Sequence, residues 1–230
     1  MTRRSYPQTD FSTVGNVVIS GVTTHARRQD RVSVVVAAAA GTRHRLVVSD
    51  EWAFRMDLRP GMTVSAAALH EAAETVRGTD VALAALARRA HSVAEIGRLL
   101  ARRGIGRELA AGTLRDLRAA GLLDDASFAT ELVRARLASR GASVWALRRD
   151  LARRGVDRAV TDAAIAEAIA DGGNDELDVA RREGRRKWRS LSRLASETAV
   201  RRLVAFLRRR GYGADAVRTV AGELRDEGGA

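Results

Sequence analysis

One short pattern, repeated three times, constrains the fold of this chain more than any other feature. A leucine is followed four residues later by a glycine, with arginines directly before the glycine and an apolar residue directly after it. The glycines are Gly104, Gly155 and Gly211, which lie 51 and 56 residues apart. This spacing is typical of a repeated unit of three short helices with short connections. The sequence therefore predicts a tandem helical array.

The pattern has the form of a helix stop. A glycine just past the end of a helix adopts the left-handed conformation, which a side chain would disfavour. In a Schellman end, the fourth residue before the glycine packs against the residue after it. The predicted apolar pairs are Leu100 with Ile105, Leu151 with Val156, and Leu207 with Tyr212. The arginines then fall in the last turn, where a positive charge favours the negative helix end.

Helix starts fit the same frame. Ser92 and Glu95 form the pattern of a capping box, twelve residues before Gly104. Ser143 stands at the same place before Gly155, but Ala146 occupies the fourth position, so the box is incomplete. In the third repeat, Ala199 occupies the position twelve residues before Gly211, so no serine cap is predicted there. We therefore expect side-chain caps at the first two of these helices.

The segment before the array has a different character. Polar stretches separate three short runs rich in β-branched residues, at 17–19, 32–36 and 46–48. Such runs predict a small antiparallel sheet. The sequence Leu58-Arg59-Pro60-Gly61 indicates a turn. Ser65 then has the position of an N-cap, for a helix predicted from Ala66 to about Val76.

The predicted fold class is mainly α, with three tandem three-helix repeats preceded by a small β-rich segment. The boundary before the array is placed at Arg77-Gly78-Thr79-Asp80, and the break Asp171-Gly172-Gly173-Asn174-Asp175 separates the last two repeats. The predicted divisions are a disordered tail at 1–13, a hairpin or sheet plus helix at 14–79, and helical repeats at 80–122, 123–173 and 174–230.

The charge of the chain is strongly positive. Lysine and arginine together number 40 against 28 acidic residues, a formal net charge of +12. Most of this excess follows residue 80. An anionic partner is indicated, either a nucleic acid or an acidic protein surface. The sequence has no cysteine, no apolar stretch long enough to span a membrane and no signal-peptide core, so a cytoplasmic protein is expected.

No constellation of residues indicates catalysis. The phosphate-binding loop of nucleotide hydrolases is absent, and the four histidines lack metal-binding spacing. Asp124 and Asp125 are adjacent carboxylates, but capping of the following helix explains them better than acid–base chemistry. We therefore expect no enzyme activity, no cofactor and no metal site.

Basic residues concentrate at the predicted helix ends and in the stretch 181–189. Trp188 lies within that stretch and is either a partner contact or a core residue, whereas Trp145 is interpreted as core. Each arginine near a glycine is either helix-end charge or part of a binding surface. The candidate contact residues, chosen on electrostatic grounds, are Arg102, Arg103, Arg148, Arg149, Arg153, Arg154, Arg181, Arg182, Arg185, Arg186, Lys187, Trp188, Arg189, Arg208, Arg209 and Arg210.

Three stretches resemble signatures of one family. Gly121-Leu122-Leu123-Asp124-Asp125-Ala126-Ser127-Phe128-Ala129 resembles a motif of the RecX regulatory proteins. The stretch from Ser92 to Gly104 is similar to the first repeat of that family. The stretch from Arg210 to Val217 is similar to its C-terminal motif. The resemblance spans roughly residues 80 to 225.

The resemblance implies a function as well as a fold. RecX proteins consist of three tandem three-helix repeats. They bind the RecA recombinase and its filament on single-stranded DNA, and they mostly inhibit its ATP turnover, strand exchange and filament growth in DNA repair and recombination. A monomer with RecA as partner, and possible direct contact with DNA, is implied. The alternative is a sequence-tolerant DNA-binding or transcription-regulating helical protein.

Overall fold

The structure, a computed structural model, describes residues 15–25, 28–37, 43–140, 142–172 and 176–227. The tail predicted at 1–13 lies outside these residues. The strands are β1 (Asn16–Thr24), β2 (Arg31–Ala37), β3 (Arg43–Ser49) and β4 (Thr63–Ser65). The helices are α1 (Asp50–Arg55), α2 (Ala66–Leu86), α3 (Val93–Arg102), α4 (Arg107–Ala119), α5 (Asp125–Arg140), α6 (Val144–Arg154), α7 (Arg158–Gly172), α8 (Glu176–Arg189), α9 (Ser196–Arg209) and α10 (Ala214–Glu227).

The strands form one antiparallel sheet in the order β3-β2-β1-β4. The three strands predicted from β-branched runs are confirmed as β1, β2 and β3. Ile19, Val34 and Val36 are fully buried on one face, together with Leu69 of α2. The short elements α1 and β4 were not predicted. β4 has only three residues and depends on pairing with the start of β1, which no local pattern encodes.

Helix α2 is longer than predicted. The Ser65 hydroxyl caps it by accepting a hydrogen bond from the Ala68 amide, as expected. However, the predicted end near Val76 is wrong, because α2 continues to Leu86 through Gly78 and Asp80. Gly78 is buried there, and a β-carbon would lie 3.2 Å from the Thr113 hydroxyl of α4. Close packing against α4 therefore explains a glycine that sequence reasoning took for a break.

The helices follow one another in threes, as the predicted fold class requires. In the second set, Phe128 and Val133 of α5 pack with Ala164 and Ile165 of α7 in one hydrophobic core. That core continues through the third set, where Leu203 of α9 is fully buried. Helix α7 ends at Gly172, and the rest of the predicted break, 173–175, lies outside the described residues.

The chain forms two compact units. One comprises Met1–Arg89 with Ile96–Ala120 and holds the sheet, and the other comprises Ala90–Glu95 with Gly121–Ala230. The limits of the three repeats given above stay predictions. The candidate contact residues of α6 and α9 belong to the second unit.

Candidate binding surface

The three repeated glycines end their helices as predicted. Gly104, Gly155 and Gly211 have φ angles of +73°, +82° and +83°. In each case the amide after the glycine donates to the carbonyl of the leucine five residues earlier, at 3.1, 3.1 and 3.3 Å. The predicted apolar pairs are buried at all three ends. The Schellman ends are therefore confirmed, and they fix where the arginines of each helix end emerge.

The predicted caps are also present, and each serine does more than cap. Ser92 accepts a hydrogen bond from the Glu95 amide at 3.1 Å, and Glu95 accepts one from the Ser92 amide at 3.3 Å. The Ser92 hydroxyl also donates to the carbonyl oxygen of Arg154 at 2.7 Å. One side chain thus serves the start of α3 and the end of α6.

The same arrangement recurs one repeat later. Ser143 accepts from the Ala146 amide at 3.2 Å, and its hydroxyl donates to the carbonyl oxygen of Arg210 at 2.7 Å. Ser92 and Ser143 are both buried. We call each hydrogen bond from the serine hydroxyl to the carbonyl of the next repeat a serine bridge. Helix α9, in contrast, follows Ala195 and has no side-chain cap.

A pocket of about 310 Å³ lies beside the second serine bridge, entirely within the second unit. It is lined by α6 from Trp145 to Arg153, by the two residues before α6, by the end of α9 and by one residue of α5. Five arginines and a single carboxylate contribute to its wall. These charged residues are Arg136, Arg149, Arg153, Arg209, Arg210 and Asp150. Of the candidate contact residues, the structure therefore brings together Arg149, Arg153, Arg209 and Arg210.

Trp145 forms part of the same wall and we call this cavity the Trp145 pocket. The interpretation of Trp145 as a core residue is wrong, because the residue is 50% exposed. The guanidinium carbon of Arg149 lies 4.5 Å from the centroid of the indole ring. On Gly211, a β-carbon would lie 2.5 Å from Trp145 Cε3. Gly211 thus ends α9 and also makes room for this ring.

Helical periodicity carried a signal for Trp145. Leu147 and Leu151, four residues apart, are fully buried and define the core side of α6. A residue two positions before Leu147 points to the opposite side of a helix with 3.6 residues per turn. Arg136 had no comparable signal, since it lies outside the basic clusters of the sequence.

Asp150 is the carboxylate of the pocket wall, and it forms ion pairs with three arginines. Its carboxylate contacts Arg153 at 2.8 Å, Arg136 at 3.2 Å and Arg154 at 3.4 Å. Burial by itself would raise the pKa of Asp150, but the hydrogen bond from Arg153 and the charges of Arg154 and Arg136 outweigh it and lower this pKa. The carboxylate therefore stays ionised and neutralises much of the charge on this side.

The dense basic cluster of α8 is largely engaged within the protein. Arg181 contacts Glu223 of α10 at 2.7 Å, and Arg185 contacts Glu227 at 3.3 Å. The hydrogen bond from Arg181 lowers the pKa of Glu223. Arg186 contacts Glu183 at 3.2 Å, and Arg210 also donates to Glu183, which is buried. These contacts join α8 to α10 and to the end of α9.

Trp188 packs against the helical core, in agreement with the core alternative. Phe206 lies beneath two cations, with Lys187 Nζ at 5.8 Å and the guanidinium carbon of Arg210 at 4.8 Å from its ring centroid.

The remaining candidate arginines lie elsewhere on the surface. Arg148 contacts Asp162 at 2.7 Å, away from the pocket wall. Exposed positions are occupied by Arg102, Arg103, Arg182, Arg189 and Arg208.

The adjacent carboxylates of Asp124 and Asp125, at the start of α5, are helix caps. Asp124 accepts from the amides of Ala126 and Ser127 at 3.0 and 3.2 Å. Asp125 accepts from the Val93 amide at 2.9 Å and so adds to the cap of α3.

Across the described residues, no group of histidine and carboxylate side chains is arranged to hold a metal ion. In that same part of the chain, no helix combines the length and apolar character needed to cross a bilayer.

This arrangement defines a class of protein: a tandem array of three-helix units whose helix ends carry a basic surface. Two protein-family models match the sequence of this chain. The model described as RecX, second three-helix domain, matches residues 124–165, and the one described as RecX, third three-helix domain, matches residues 174–220.

Sequence relatives give the same result. The chain is 38% identical over 144 residues to a regulatory protein RecX of Amycolatopsis mediterranei, covering 62% of this chain and 81% of the relative. It is 37% identical over 150 residues to a regulatory protein RecX of Halorhodospira halophila, covering 65% and 88%. The chain therefore belongs to the RecX family.

Solved structures share the fold. A crystal structure of regulatory protein RecX superposes with a TM-score of 0.71 at 16% identity, covering 89% of this chain and 98% of the other. The crystal structure of RecX from Lactobacillus salivarius superposes with a TM-score of 0.58 at 15% identity, covering 66% and 96%. The mainly helical repeat fold predicted from the sequence is therefore confirmed.

Proposed function

We propose that this chain is a non-catalytic cytoplasmic regulator that binds, as a monomer, the RecA recombinase and its filament on single-stranded DNA. It modulates, and mostly inhibits, the ATPase, strand exchange and filament growth of RecA in DNA repair and recombination. The observation that carries the proposal is the relation to proteins named regulatory protein RecX, such as that of Amycolatopsis mediterranei, at 38% identity over 81% of its length.

The architecture of the second unit supports this proposal. In both serine bridges, a serine hydroxyl at the start of one helix donates to the carbonyl oxygen of an arginine at the end of another. The basic ends of α6 and α9 are therefore held in the same way within the second unit. A filament of identical protomers on DNA is itself periodic and carries negative charge. A repeat protein with a positive surface is suited to such a partner, because charge complementarity speeds association and fixes register.

The test measures the single-stranded-DNA-dependent ATPase of RecA with and without the full chain. We expect turnover to fall at equimolar or lower amounts of the chain. An Arg208→Ala/Arg209→Ala variant should inhibit less, because it removes positive charge from the end of α9. Arg158→Ala, at a side chain that is 86% exposed outside the pocket, is the single-charge control. Unchanged ATP turnover with the intact chain would contradict the proposal.

The second candidate function is sequence-tolerant DNA binding without RecA. The Trp145 pocket favours it, because an exposed indole beside arginines is a common feature of single-strand binding proteins. The two functions are separated by their need for RecA. A chain that binds DNA but leaves the ATPase unchanged has only the second function.

A further inference from the structure

We propose that the Trp145 pocket is a binding site for one nucleotide of a single-stranded nucleic acid. Arg149 and Arg209 hold the phosphate, and the base stacks beside the indole of Trp145. The inference gives the second candidate function, DNA binding, a specific site, and it does not rest on contact with RecA.

The charged side chains of the pocket divide into two groups. On one side, Arg136 and Arg153 are within 3.2 and 2.8 Å of the Asp150 carboxylate. On the other, neither Arg149 nor Arg209 lies within ion-pair distance of a carboxylate among the described residues. Positive charge without an internal counter-ion is therefore concentrated at Arg149 and Arg209, where an incoming anion is favoured.

Trp145 prepares Arg149 for this role. The guanidinium lies 4.5 Å from the ring centroid, so the cation is held by the indole rather than by a carboxylate. A guanidinium held in this way keeps its N–H donors available for phosphate oxygens, which arginine recognises in a planar, bidentate manner. Half of the Trp145 surface remains exposed, and this leaves area for a flat partner.

Neighbouring residues hold the ring in place. The ring packs so closely on Gly211 that a β-carbon there would lie 2.5 Å from Cε3 and 3.0 Å from Cδ2. The serine bridge from Ser143 to Arg210 fixes the backbone on both sides of the same wall. A stacking platform that is ordered before binding loses little conformational entropy when a base arrives.

The shape and chemistry favour a nucleotide over an acidic peptide. A carboxylate would use the arginines but would gain nothing from an exposed indole. A nucleotide uses both, because it joins an anionic phosphate to a flat base. The volume of about 310 Å³ is at the small end of ligand pockets, which suits one nucleotide. Bases in a duplex are already stacked, so a single strand is the expected ligand.

The experiment uses the full chain without RecA and a short fluorescein-labelled oligothymidylate, with binding followed by anisotropy over a series of salt concentrations. Arg149→Ala and Arg209→Ala should each weaken binding, and each should reduce the slope of log affinity against log salt by about 0.7. Trp145→Leu should weaken binding by about 5- to 100-fold, the range for loss of one stacked base. Its salt slope should change much less.

Two controls make the result specific. Arg158→Ala removes the same charge from an exposed residue outside the pocket and should bind as the wild type does. Trp145→Phe keeps an aromatic ring and should retain most of the affinity. This second variant, checked by circular dichroism, distinguishes a lost platform from a misfolded chain. A duplex of equal length should bind more weakly than the single strand, and Trp145→Leu should reduce that difference.

Three outcomes overturn the inference. The first is wild-type affinity for oligothymidylate in Trp145→Leu or in the Arg149→Ala/Arg209→Ala double variant. The second is equal weakening by Arg158→Ala. The third is displacement of the oligothymidylate by polyglutamate of the same charge with no dependence on Trp145, which would assign the site to an acidic protein surface. An absence of any effect on RecA would defeat the proposed function alone and leave this test unaffected.

Discussion

The hydroxyl of Ser143 donates a hydrogen bond to the carbonyl oxygen of Arg210, 67 residues further along the chain, at 2.7 Å. The same hydroxyl accepts the amide of Ala146 at the start of its own helix. Helix ends leave amides and carbonyls without partners inside the helix. One buried hydroxyl here satisfies a donor of α6 and an acceptor at the end of α9.

Because Ser92 and Arg154 repeat this relationship, the contact is a property of the repeat and not of one site. A buried carbonyl without a partner costs free energy, so each bridge favours one relative placement of the two helix ends it joins. The bridges thus define the spacing of successive helix ends within the second unit.

Removal of a serine bridge should destabilise the protein. Ser143→Ala removes the cap of α6 and leaves the Arg210 carbonyl without its partner, and we expect a loss of about 2 kcal/mol in the free energy of unfolding. Ser92→Ala should act similarly. Urea denaturation followed by circular dichroism measures both. Ser196→Ala, at an exposed residue of α9, is the control and should change stability little. A loss at Ser196 equal to that at Ser143 would contradict the role of the bridge.

The left-handed glycines should differ in their tolerance of alanine. Gly104→Ala meets open space but must adopt a φ near +73°, which should cost about 1–2 kcal/mol. Gly211→Ala adds a collision with Trp145 to the same backbone strain and should cost more. Gly222→Ala lies in α10 without close neighbours and should stabilise the helix by up to about 1 kcal/mol.

Thermal unfolding of these three glycine variants gives their order directly. In a Trp52→Phe/Trp188→Phe background, where Trp145 is the one remaining tryptophan, fluorescence should change in Gly211→Ala and remain unchanged in Gly104→Ala, because Gly211 and not Gly104 packs on that ring. Equal destabilisation by Gly104→Ala and Gly211→Ala, with unchanged fluorescence in both, would show that Trp145 does not depend on the missing side chain.

The contribution of Asp150 to the stability of the folded protein should depend on pH. The pKa of this carboxyl is lowered in the folded protein, so the folded state favours the ionised form. The associated stability is present above the unfolded pKa of about 3.9 and is lost as the pH falls through the lower, folded pKa. Asp150→Asn should therefore be less stable than the wild type near neutral pH, and the difference should disappear in strong acid. Denaturant unfolding across acidic pH, with Asp226→Asn as an exposed control, measures this effect.

The stability of the folded protein should fall at alkaline pH because Tyr212 is buried. Burial of the phenol, together with the nearby charge of Glu183, raises the pKa of Tyr212 to about 12. Folding therefore favours the neutral phenol, and this contribution to stability is lost as the pH rises from about 10, the unfolded value, through about 12. In a Tyr6→Phe variant, the remaining tyrosinate absorbance reports Tyr212 alone. Titration of that variant near pH 10 while it remains folded would contradict the burial of the phenol.

Local sequence determined the helix ends that mark the repeat. The Schellman ends at Gly104, Gly155 and Gly211, and the caps at Ser92 and Ser143, depend on atoms only a few residues apart. A short pattern therefore encodes them completely. The sheet was predictable for the same reason, because β-branched runs fit a half-buried strand wherever their partners lie. Only β4, which depends on pairing with β1, escaped.

Tertiary structure decided which of these residues form a site. The sequence analysis took the arginines of the stretch 181–189 as candidate contacts, yet Arg181 and Arg185 contact carboxylates of α10, 42 residues away. It also treated Trp145 as core, although this ring is exposed beside Arg149. A helix end is fixed by neighbours in sequence, whereas the partner of a charge, the exposure of a ring and the second bond of Ser143 depend on segments that meet only when the chain is folded.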